Sequence, residues 1–136
     1  MTVLDTTALS QFLRRPKAGV PEHPCVAMLR KLLERGEAVC VPGIVYQELL
    51  SGVRTETQFQ SLLKSLAGFP LFLARAEHHL RAAQLANVAR SRGVAVSTTD
   101  CLIAAQAIEM RARLMTTDRD FQRMAQFSDL RIIPIP

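Results

Sequence analysis

Thr2-Val3-Leu4-Asp5-Thr6-Thr7-Ala8-Leu9 is the stretch of the chain that decides its fold. A β-branched and apolar run ends in an aspartate, and an apolar-spaced segment that includes Phe12 and Leu13 follows. This pattern predicts a short buried strand that passes directly into a helix. Such a strand suits the middle of a parallel sheet that is covered on both faces, and ligands of these sheets collect beyond the carboxyl ends of the strands. Asp5 therefore stands where chemistry is expected.

The length and composition are typical of one globular domain spanning residues 1–136. Of the 136 residues 49% are hydrophobic and 21% are charged, which excludes a disordered chain. No apolar run approaches the roughly 20 residues of a membrane helix, and no secretory signal is visible. Cys25, Cys40 and Cys101 lack metal-binding spacing and have apolar neighbours, so we interpret them as buried thiols of a cytoplasmic protein. The net charge of +5 fits a polyanionic partner without requiring one.

The rest of the chain alternates short apolar runs with longer segments of helical periodicity. Strands are expected at Ala38–Val41, Phe69–Leu73, Arg113–Thr116 and Leu130–Ile133. Helices are expected at about Pro24–Arg35, Ile44–Ser51, Gln58–Leu66, Ala76–Arg92, Cys101–Ile108 and Phe121–Phe127. This order predicts an α/β fold, a three-layer α/β/α sandwich around a central parallel sheet of four to five strands. In the Ala76–Arg92 helix, the residues expected to face inward are Leu80, Ala83, Val88 and Ala89.

Four carboxylates stand out, and three of them have an ordinary structural explanation. Asp5, Asp100 and Asp118 each directly precede a predicted helix, where an aspartate is a favoured N-cap. Capping is the better explanation for each of them taken singly. Glu48 is no cap, since it lies on the apolar stripe of its helix and projects toward the core or a cleft.

Taken as a set, these carboxylates indicate a metal site. Asp5 and Asp118 both follow apolar strands, which places them along the same edge of a parallel sheet. Converging carboxylates repel one another unless a cation lies between them. Because all the candidate ligands are hard oxygen donors, the set favours Mg²⁺ or Mn²⁺ over zinc, and such an ion is suited to phosphoryl chemistry.

Four blocks of the sequence resemble the signature blocks of the PIN domain. They are Val-Leu-Asp5-Thr-Thr-Ala-Leu, Val-Tyr-Gln-Glu48-Leu-Leu-Ser-Gly, Thr-Thr-Asp100-Cys-Leu-Ile-Ala-Ala-Gln-Ala and Met-Thr-Thr-Asp118-Arg-Asp120-Phe. The similarity spans nearly the whole chain in the right order. The length and the spacing of the blocks look most like the VapC toxins of type II toxin-antitoxin systems.

This resemblance implies an enzyme, a Mg²⁺- or Mn²⁺-dependent endoribonuclease that cleaves RNA with a metal-activated water. It also implies a cytoplasmic homodimer that a VapB-type antitoxin holds inactive. By position, Asp5, Glu48, Asp100 and Asp118 match the acidic quartet that holds the metal and performs catalysis, with Glu48 a ligand or the residue that orients the attacking water. Asp120 matches a variable fifth acid. Thr7 and Thr116 match the small polar residues that support the first and last acids.

Two further questions stay open on the sequence. Arg14, Arg15, Lys17 and Arg119 are candidates for RNA contacts, although each is also compatible with a solvated surface. The alternative function is a PIN-like module that binds RNA or an antitoxin without cutting either. A metal-free mechanism with paired histidines is disfavoured, because the adjacent His78 and His79 diverge by about 100° on a helix.

Overall fold

The structure, a computed structural model, describes residues 1–136 in full. Five strands and seven helices follow the order predicted from the sequence. The strands are β1 (Thr2–Leu4), β2 (Val39–Pro42), β3 (Leu71–Phe72), β4 (Arg113–Met115) and β5 (Arg131–Ile132). The helices are α1 (Thr6–Leu13), α2 (Pro24–Glu34), α3 (Gly43–Ser51), α4 (Glu56–Leu66), α5 (Ala76–Ser91), α6 (Thr98–Glu109) and α7 (Arg119–Ala125).

The five strands form one parallel sheet in the order β3-β2-β1-β4-β5. The chain therefore moves toward one edge from β1 to β3 and toward the other from β4 to β5. Because crossovers between parallel strands are right-handed, helices α1–α4 and α5–α7 cover opposite faces of the sheet. The predicted three-layer α/β/α sandwich is confirmed.

The core lies on both sides of the two central strands. Val3, Leu4, Leu114 and Met115 are completely buried, as a strand covered on both faces requires. The sheet edge at β3 is short and partly exposed, which fits the proline that precedes it. No helix is both long enough and apolar enough to cross a membrane.

One expectation about α5 is wrong. Leu80 is 68% exposed and Val88 is 38% exposed, and Ala83 is exposed as well, so of the four residues expected to face inward only Ala89 does. The buried residues of this helix are His78, Ala82, Leu85 and Ala89. Their spacing of four, three and four residues forms one continuous stripe.

His78 occupies the first core position of α5 for a reason that hydrophobicity does not reveal. Its Nδ1 atom accepts a hydrogen bond of 2.8 Å from the backbone N–H of Arg75, just before the helix. Its ring packs edge-on against Phe72 at 5.3 Å between centroids. A histidine whose polar atom is satisfied by the helix start can replace a leucine in the core.

Candidate active site

The site lies where the sheet reverses its winding direction. β1 and β4 are neighbours, with Leu4 opposite Met115, yet the connection after β1 leads toward β2 and the connection after β4 leads toward β5. Divergence of two neighbouring connections opens a crevice at the carboxyl ends of the strands, which is the usual binding place in open parallel sheets. Asp5 follows β1 directly and Asp118 follows β4 after two residues, so both border this crevice.

Asp5 is the buried acid of the site, with only 1% of its surface exposed. Its carboxylate caps α1 by accepting a hydrogen bond of 2.8 Å from the N–H of Ala8. The hydroxyl of Thr7 lies 2.9 Å from each carboxylate oxygen, and the hydroxyl of Thr116 donates to Oδ2. Burial raises the pKa of Asp5 above its ordinary value, these hydrogen bonds oppose the increase, and the charge of Asp118 adds to it.

Thr7 and Thr116 also connect the two loops of the crevice. The hydroxyl of Thr116 accepts a hydrogen bond of 2.9 Å from the N–H of Asp118 while it donates to Asp5. The hydroxyl of Thr7 accepts a bond of 3.1 Å from the N–H of Thr117. Each threonine therefore contacts Asp5 through its proton and the loop after β4 through its oxygen. This double use fixes the position of that loop relative to β1.

Three other carboxylates converge at this edge. Oxygen atoms of Asp100, Asp118 and Asp120, one from each side chain, all lie within 4.8 Å of one another. Asp118 caps α7 by accepting a bond of 2.9 Å from the N–H of Asp120, which confirms its N-cap assignment. Asp120 also pairs with Arg123 at 3.2 Å on the surface of the same helix.

Asp100 does not cap its helix, contrary to the expectation from the sequence. α6 begins earlier, and Ser97 is its N-cap, accepting a bond of 3.0 Å from the N–H of Asp100. Asp100 is thus in the first turn of α6 and not at its cap. The signal for this arrangement was present, since a serine three residues before an acid at the start of an apolar run is a capping pattern.

The pKa of Asp100 reflects its burial and the negative charges around it. Burial is the largest cause that raises the pKa of this residue, from 3.8 to about 6. The charges of Asp118, Asp120 and Asp5 raise it further, while the hydrogen bond with Ser97 acts in the opposite direction. Three neighbouring carboxylates thus hinder the ionisation of a fourth, which is the electrostatic state that a bound cation relieves.

Glu48 lies outside the group of three. Its side chain is exposed on α3, which excludes the core position that the sequence left open. Its Oε1 atom accepts a hydrogen bond of 2.9 Å from the hydroxyl of Thr6, the residue directly after Asp5. The contact joins α3 to the start of α1, so Glu48 borders the crevice from the side of β2.

The carboxylates fit a divalent cation of the Mg²⁺ or Mn²⁺ type. All donors are carboxylate oxygens, and no histidine or cysteine belongs to the converging group. The only cation paired with the group is Arg123, which is 59% exposed and contacts Asp120 alone. Asp100, Asp118 and Asp120 are the residues that would hold the ion. Asp5, whose oxygens accept hydrogen bonds from Ala8, Thr7 and Thr116, borders the crevice at the end of β1.

The four basic candidates lie on two exposed segments near this crevice. Arg119 is the first residue of α7 and directly follows Asp118. Arg14, Arg15 and Lys17 are exposed in the loop between α1 and α2. His23, the residue directly before α2, lies beside both segments and was not among the candidates from the sequence. A histidine before a proline is a weak signal, and only its neighbours in space make it notable.

Comparison with known protein families gives a match over nearly the whole chain. Residues 2–126 match the model of the PIN domain. Ribonuclease VapC11 of Mycobacterium tuberculosis is 30% identical over 132 residues, which cover 96% of each chain. Ribonuclease VapC19 of the same organism is 31% identical over 131 residues, or 96% of this chain and 97% of the other.

Solved structures show the same fold. The crystal structure of FitAcB from Neisseria gonorrhoeae superimposes with a TM-score of 0.76 at 24% identity, covering 98% of this chain and 97% of the other. VapBC2 from Rickettsia felis, crystallised with a DNA fragment from its promoter, gives a TM-score of 0.76 at 22% identity and covers 97% and 96%. At these identities the likeness concerns the fold.

Proposed function

Because the chain belongs to the PIN domain family and, within it, to the VapC ribonucleases, we propose that it is a Mg²⁺- or Mn²⁺-dependent endoribonuclease. We further propose that it is the toxin of a type II toxin-antitoxin system. The observation that supports the proposal most strongly is the convergence of Asp100, Asp118 and Asp120 within 4.8 Å at the reversal point of the sheet. The ribonuclease names of two relatives at 30% and 31% identity supply the substrate class.

The acids have different tasks in this proposal. Asp100, Asp118 and Asp120 hold the divalent ion, and Asp5 contributes directly or through water. When bound, such an ion lowers the pKa of water and neutralises charge that develops on phosphate. Asp5 also positions Asp118, because Thr116 contacts both of them. Glu48 is exposed at the rim and engaged only by a neutral hydroxyl, so it is free to orient the attacking water or accept its proton.

Attack on phosphorus in line with the leaving 3′ oxygen gives products with a 5′-phosphate and a 3′-hydroxyl. The chain's own part in this step is to hold the carboxylates in place before the substrate arrives. The rigid elements that carry them are α6, α7 and the junction of β1 with α1. Positioning of this kind is the main means by which a protein assists phosphoryl transfer.

The test is cleavage of total cellular RNA by the purified protein. We expect discrete fragments with Mg²⁺ or Mn²⁺ and none with EDTA. Asp100→Asn should reduce the rate at least about a hundredfold, because it removes a charged ligand of the ion. Glu34→Gln is the matched control, because Glu34 is an exposed acid at the end of α2 without an ion pair or side-chain hydrogen bond. This variant should cleave RNA as the wild type does.

The alternative, a binding module without turnover, makes a different prediction in the same assay. Wild type and Asp100→Asn would then be equally inert on tRNA, rRNA and mRNA, and both would still retain RNA or an antitoxin. Circular dichroism of the variants shows that a loss of cleavage is not a loss of fold. Fragments that persist in EDTA would contradict the metal-dependent mechanism.

We also propose that the chain forms a homodimer and assembles with a VapB-type antitoxin. The support comes from solved relatives of the same fold, which include VapBC-1 of nontypeable Haemophilus influenzae and VapBC2 of Rickettsia felis. Light scattering of the purified chain tests the dimer, and a monomer at micromolar concentration would contradict it. Growth arrest on expression of the wild type, absent with Asp100→Asn, tests the toxin assignment.

A further inference from the structure

Two cavities of the protein surface share one lining residue. The first, the Arg119 cavity, has a volume of about 650 Å³ and lies between α7 and the C-terminal residues 132–136. The second, the loop cavity, has a volume of about 530 Å³ and lies beneath the loop between α1 and α2. His23 is in the wall of each. We refer to the two cavities together, on either side of His23, as the path; the first of them is also lined by Thr116, whose hydroxyl contacts Asp5 and the backbone of Asp118.

The Arg119 cavity combines hydrogen-bond donors with an apolar wall. Its polar side is made by Thr117, Arg119 and Gln122, and none of its lining residues is acidic. Its other side consists of isoleucine and proline residues of the C-terminal segment. A guanidinium and neutral donors suit a phosphate, and a flat apolar wall suits a base. The combination is the chemistry of a nucleotide.

The loop cavity continues the path with positive charge. Arg14, Arg15 and Lys17 line it. Glu22 is the only acid in its wall, and it pairs with Arg30 at 3.4 Å. None of the three cations has a carboxylate partner, so their charges are available to a polyanion. Phe12 and Val26 add apolar side chains to the same wall.

His23 presents a donor at the junction of the two cavities. Its Nδ1 atom accepts a hydrogen bond of 3.2 Å from the N–H of Cys25 and thereby caps α2. In neutral imidazole the proton is then on Nε2, which remains free to donate to a ligand. His23 also shares the wall of the Arg119 cavity with Thr116, whose hydroxyl donates to the buried carboxylate of Asp5.

We propose that the RNA strand leaves the carboxylates through the Arg119 cavity, passes His23 and follows the cations of the loop cavity. The inference rests on the proposed ribonuclease function and adds to it the course of the substrate. In this arrangement Arg119 contacts the phosphate next to the cleaved bond, and the apolar wall of the Arg119 cavity receives a base. The C-terminal segment, which forms that wall, then selects which base precedes or follows the cut.

RNA suits the path better than an acidic peptide does. A peptide carboxylate carries its charge on a flexible side chain and offers no flat ring for the isoleucine and proline wall. An RNA strand supplies a charge at every nucleotide, and cations are present in both cavities, Arg119 in one and Arg14, Arg15 and Lys17 in the other. The strand must also enter the carboxylate crevice to be cut, and the Arg119 cavity is the one lined by Thr116, whose hydroxyl contacts Asp5 and the backbone of Asp118.

The experiment measures binding of a fluorescein-labelled single-stranded RNA of about 12 nucleotides, long enough for the path. Anisotropy titrations use Asp100→Asn as the background, in Mg²⁺ and at several salt concentrations, so that the RNA stays intact. Arg119→Ala should weaken binding about tenfold, because it removes a charged phosphate contact. His23→Asn should weaken it about threefold, since asparagine keeps the cap of α2 but lacks the Nε2 donor.

The loop cavity is tested by salt dependence. Removal of Arg14, Arg15 and Lys17 together, each replaced by alanine, should reduce the slope of log affinity against log salt by about 2. Arg35→Ala is the matched control, because Arg35 is exposed and precedes β2 at the amino ends of the strands, opposite the crevice. It removes one charge and should leave both affinity and slope nearly unchanged.

Three results would overturn the inference. One is unchanged affinity and slope in the Arg119, His23 and loop variants. Another is an equal loss in Arg35→Ala, which would indicate attraction by net charge alone. The last is intact RNA binding with loss of antitoxin binding, which would assign the path to the protein partner. Because binding is measured without turnover, a failure of the ribonuclease proposal appears separately, as a wild type that binds RNA along this path and never cuts it.

Discussion

At the scale of single residues, the site depends on hydroxyl groups as much as on carboxylates. Thr116 donates to the buried Asp5 and accepts from the backbone of Asp118, so it holds the first acid and the loop of the last acid in one geometry. Loss of one hydroxyl would leave a buried carboxylate with one donor fewer. The cost of such a change is large relative to the marginal stability of a domain.

We therefore expect Thr116→Val to lower the free energy of unfolding by about 1–3 kcal/mol and to slow RNA cleavage. Thr116→Ser keeps the hydroxyl and should retain most of both. Urea denaturation and initial rates of cleavage measure the two effects. A valine variant that is as stable and as active as the serine variant would show that the hydrogen bonds with Asp5 and Asp118 do not position the site.

The burial of Asp100 and the carboxylates around it predict a pH dependence of stability without metal. The pKa of Asp100 is about 6 in the folded chain and close to 3.8 when unfolded, so the folded state binds the proton more tightly. Its contribution to stability is therefore complete below the unfolded value and is lost as pH rises through the folded value. Asp100→Asn should raise the melting temperature in EDTA by about 2–5 °C at about pH 8.

At about pH 3 the same substitution should have little effect on the melting temperature, because Asp100 is then protonated in both the folded and the unfolded state. Glu34→Gln provides the matched control at both pH values. A melting temperature of Asp100→Asn that equals the wild-type value across this range would mean that the carboxylates do not repel one another in solution.

At the scale of single elements, α5 illustrates how a helix chooses its buried face. The stripe from His78 to Ala89 faces the core because His78 satisfies its polar atom at the helix start and packs on Phe72. Leu80 is then rotated toward solvent. An isolated leucine on the surface of a helix is ordinary and carries little free energy of folding.

Leu85→Ala should lower the free energy of unfolding by about 2–4 kcal/mol, because Leu85 is 5% exposed and its removal leaves a cavity. Leu80→Ala removes the same atoms from a side chain that is 68% exposed and should cost under about 0.5 kcal/mol. Chemical denaturation at a protein concentration where both variants have the same oligomeric state compares them. Equal costs would mean that α5 is rotated relative to the sheet.

At the scale of the whole molecule, binding of the proposed metal ion would be coupled to stability. The three cysteines are buried and free, so no disulfide contributes to the fold. A divalent ion that binds the folded chain alone stabilises it by about 2.7 kcal/mol at a concentration a hundred times its Kd. The site is formed by elements from both ends of the chain, β1 and α7, so a bound ion would connect parts that are distant in sequence.

We expect Mg²⁺ or Mn²⁺ to raise the melting temperature of the wild type relative to EDTA, and Ca²⁺ or Na⁺ at equal ionic strength to raise it less. Asp118→Asn should abolish most of the gain, because Asp118 belongs to the converging group. Glu34→Gln should show the full gain. A rise of the same size in wild type and Asp118→Asn would place the stabilising ion elsewhere on the protein.

The sequence by itself determined the order of elements, the parallel sheet and the acids at its carboxyl edge. It did so because apolar runs of strand length alternate with segments of helical periodicity. An aspartate directly after such a run also predicts the carboxyl edge of the sheet. Only the tertiary structure decided which carboxylates meet. Asp120 joins Asp100 and Asp118 within 4.8 Å, while Asp5 is engaged by threonines and Glu48 stands at the rim. It also placed Ser97 at the cap of α6 and His23 between two cavities.

The physical reason is that a local sequence pattern indicates only which face of its own helix or strand is buried. The approach of side chains more than a hundred residues apart, such as Asp5 and Thr116, depends on the register of β1 against β4 and on how the helices pack over them.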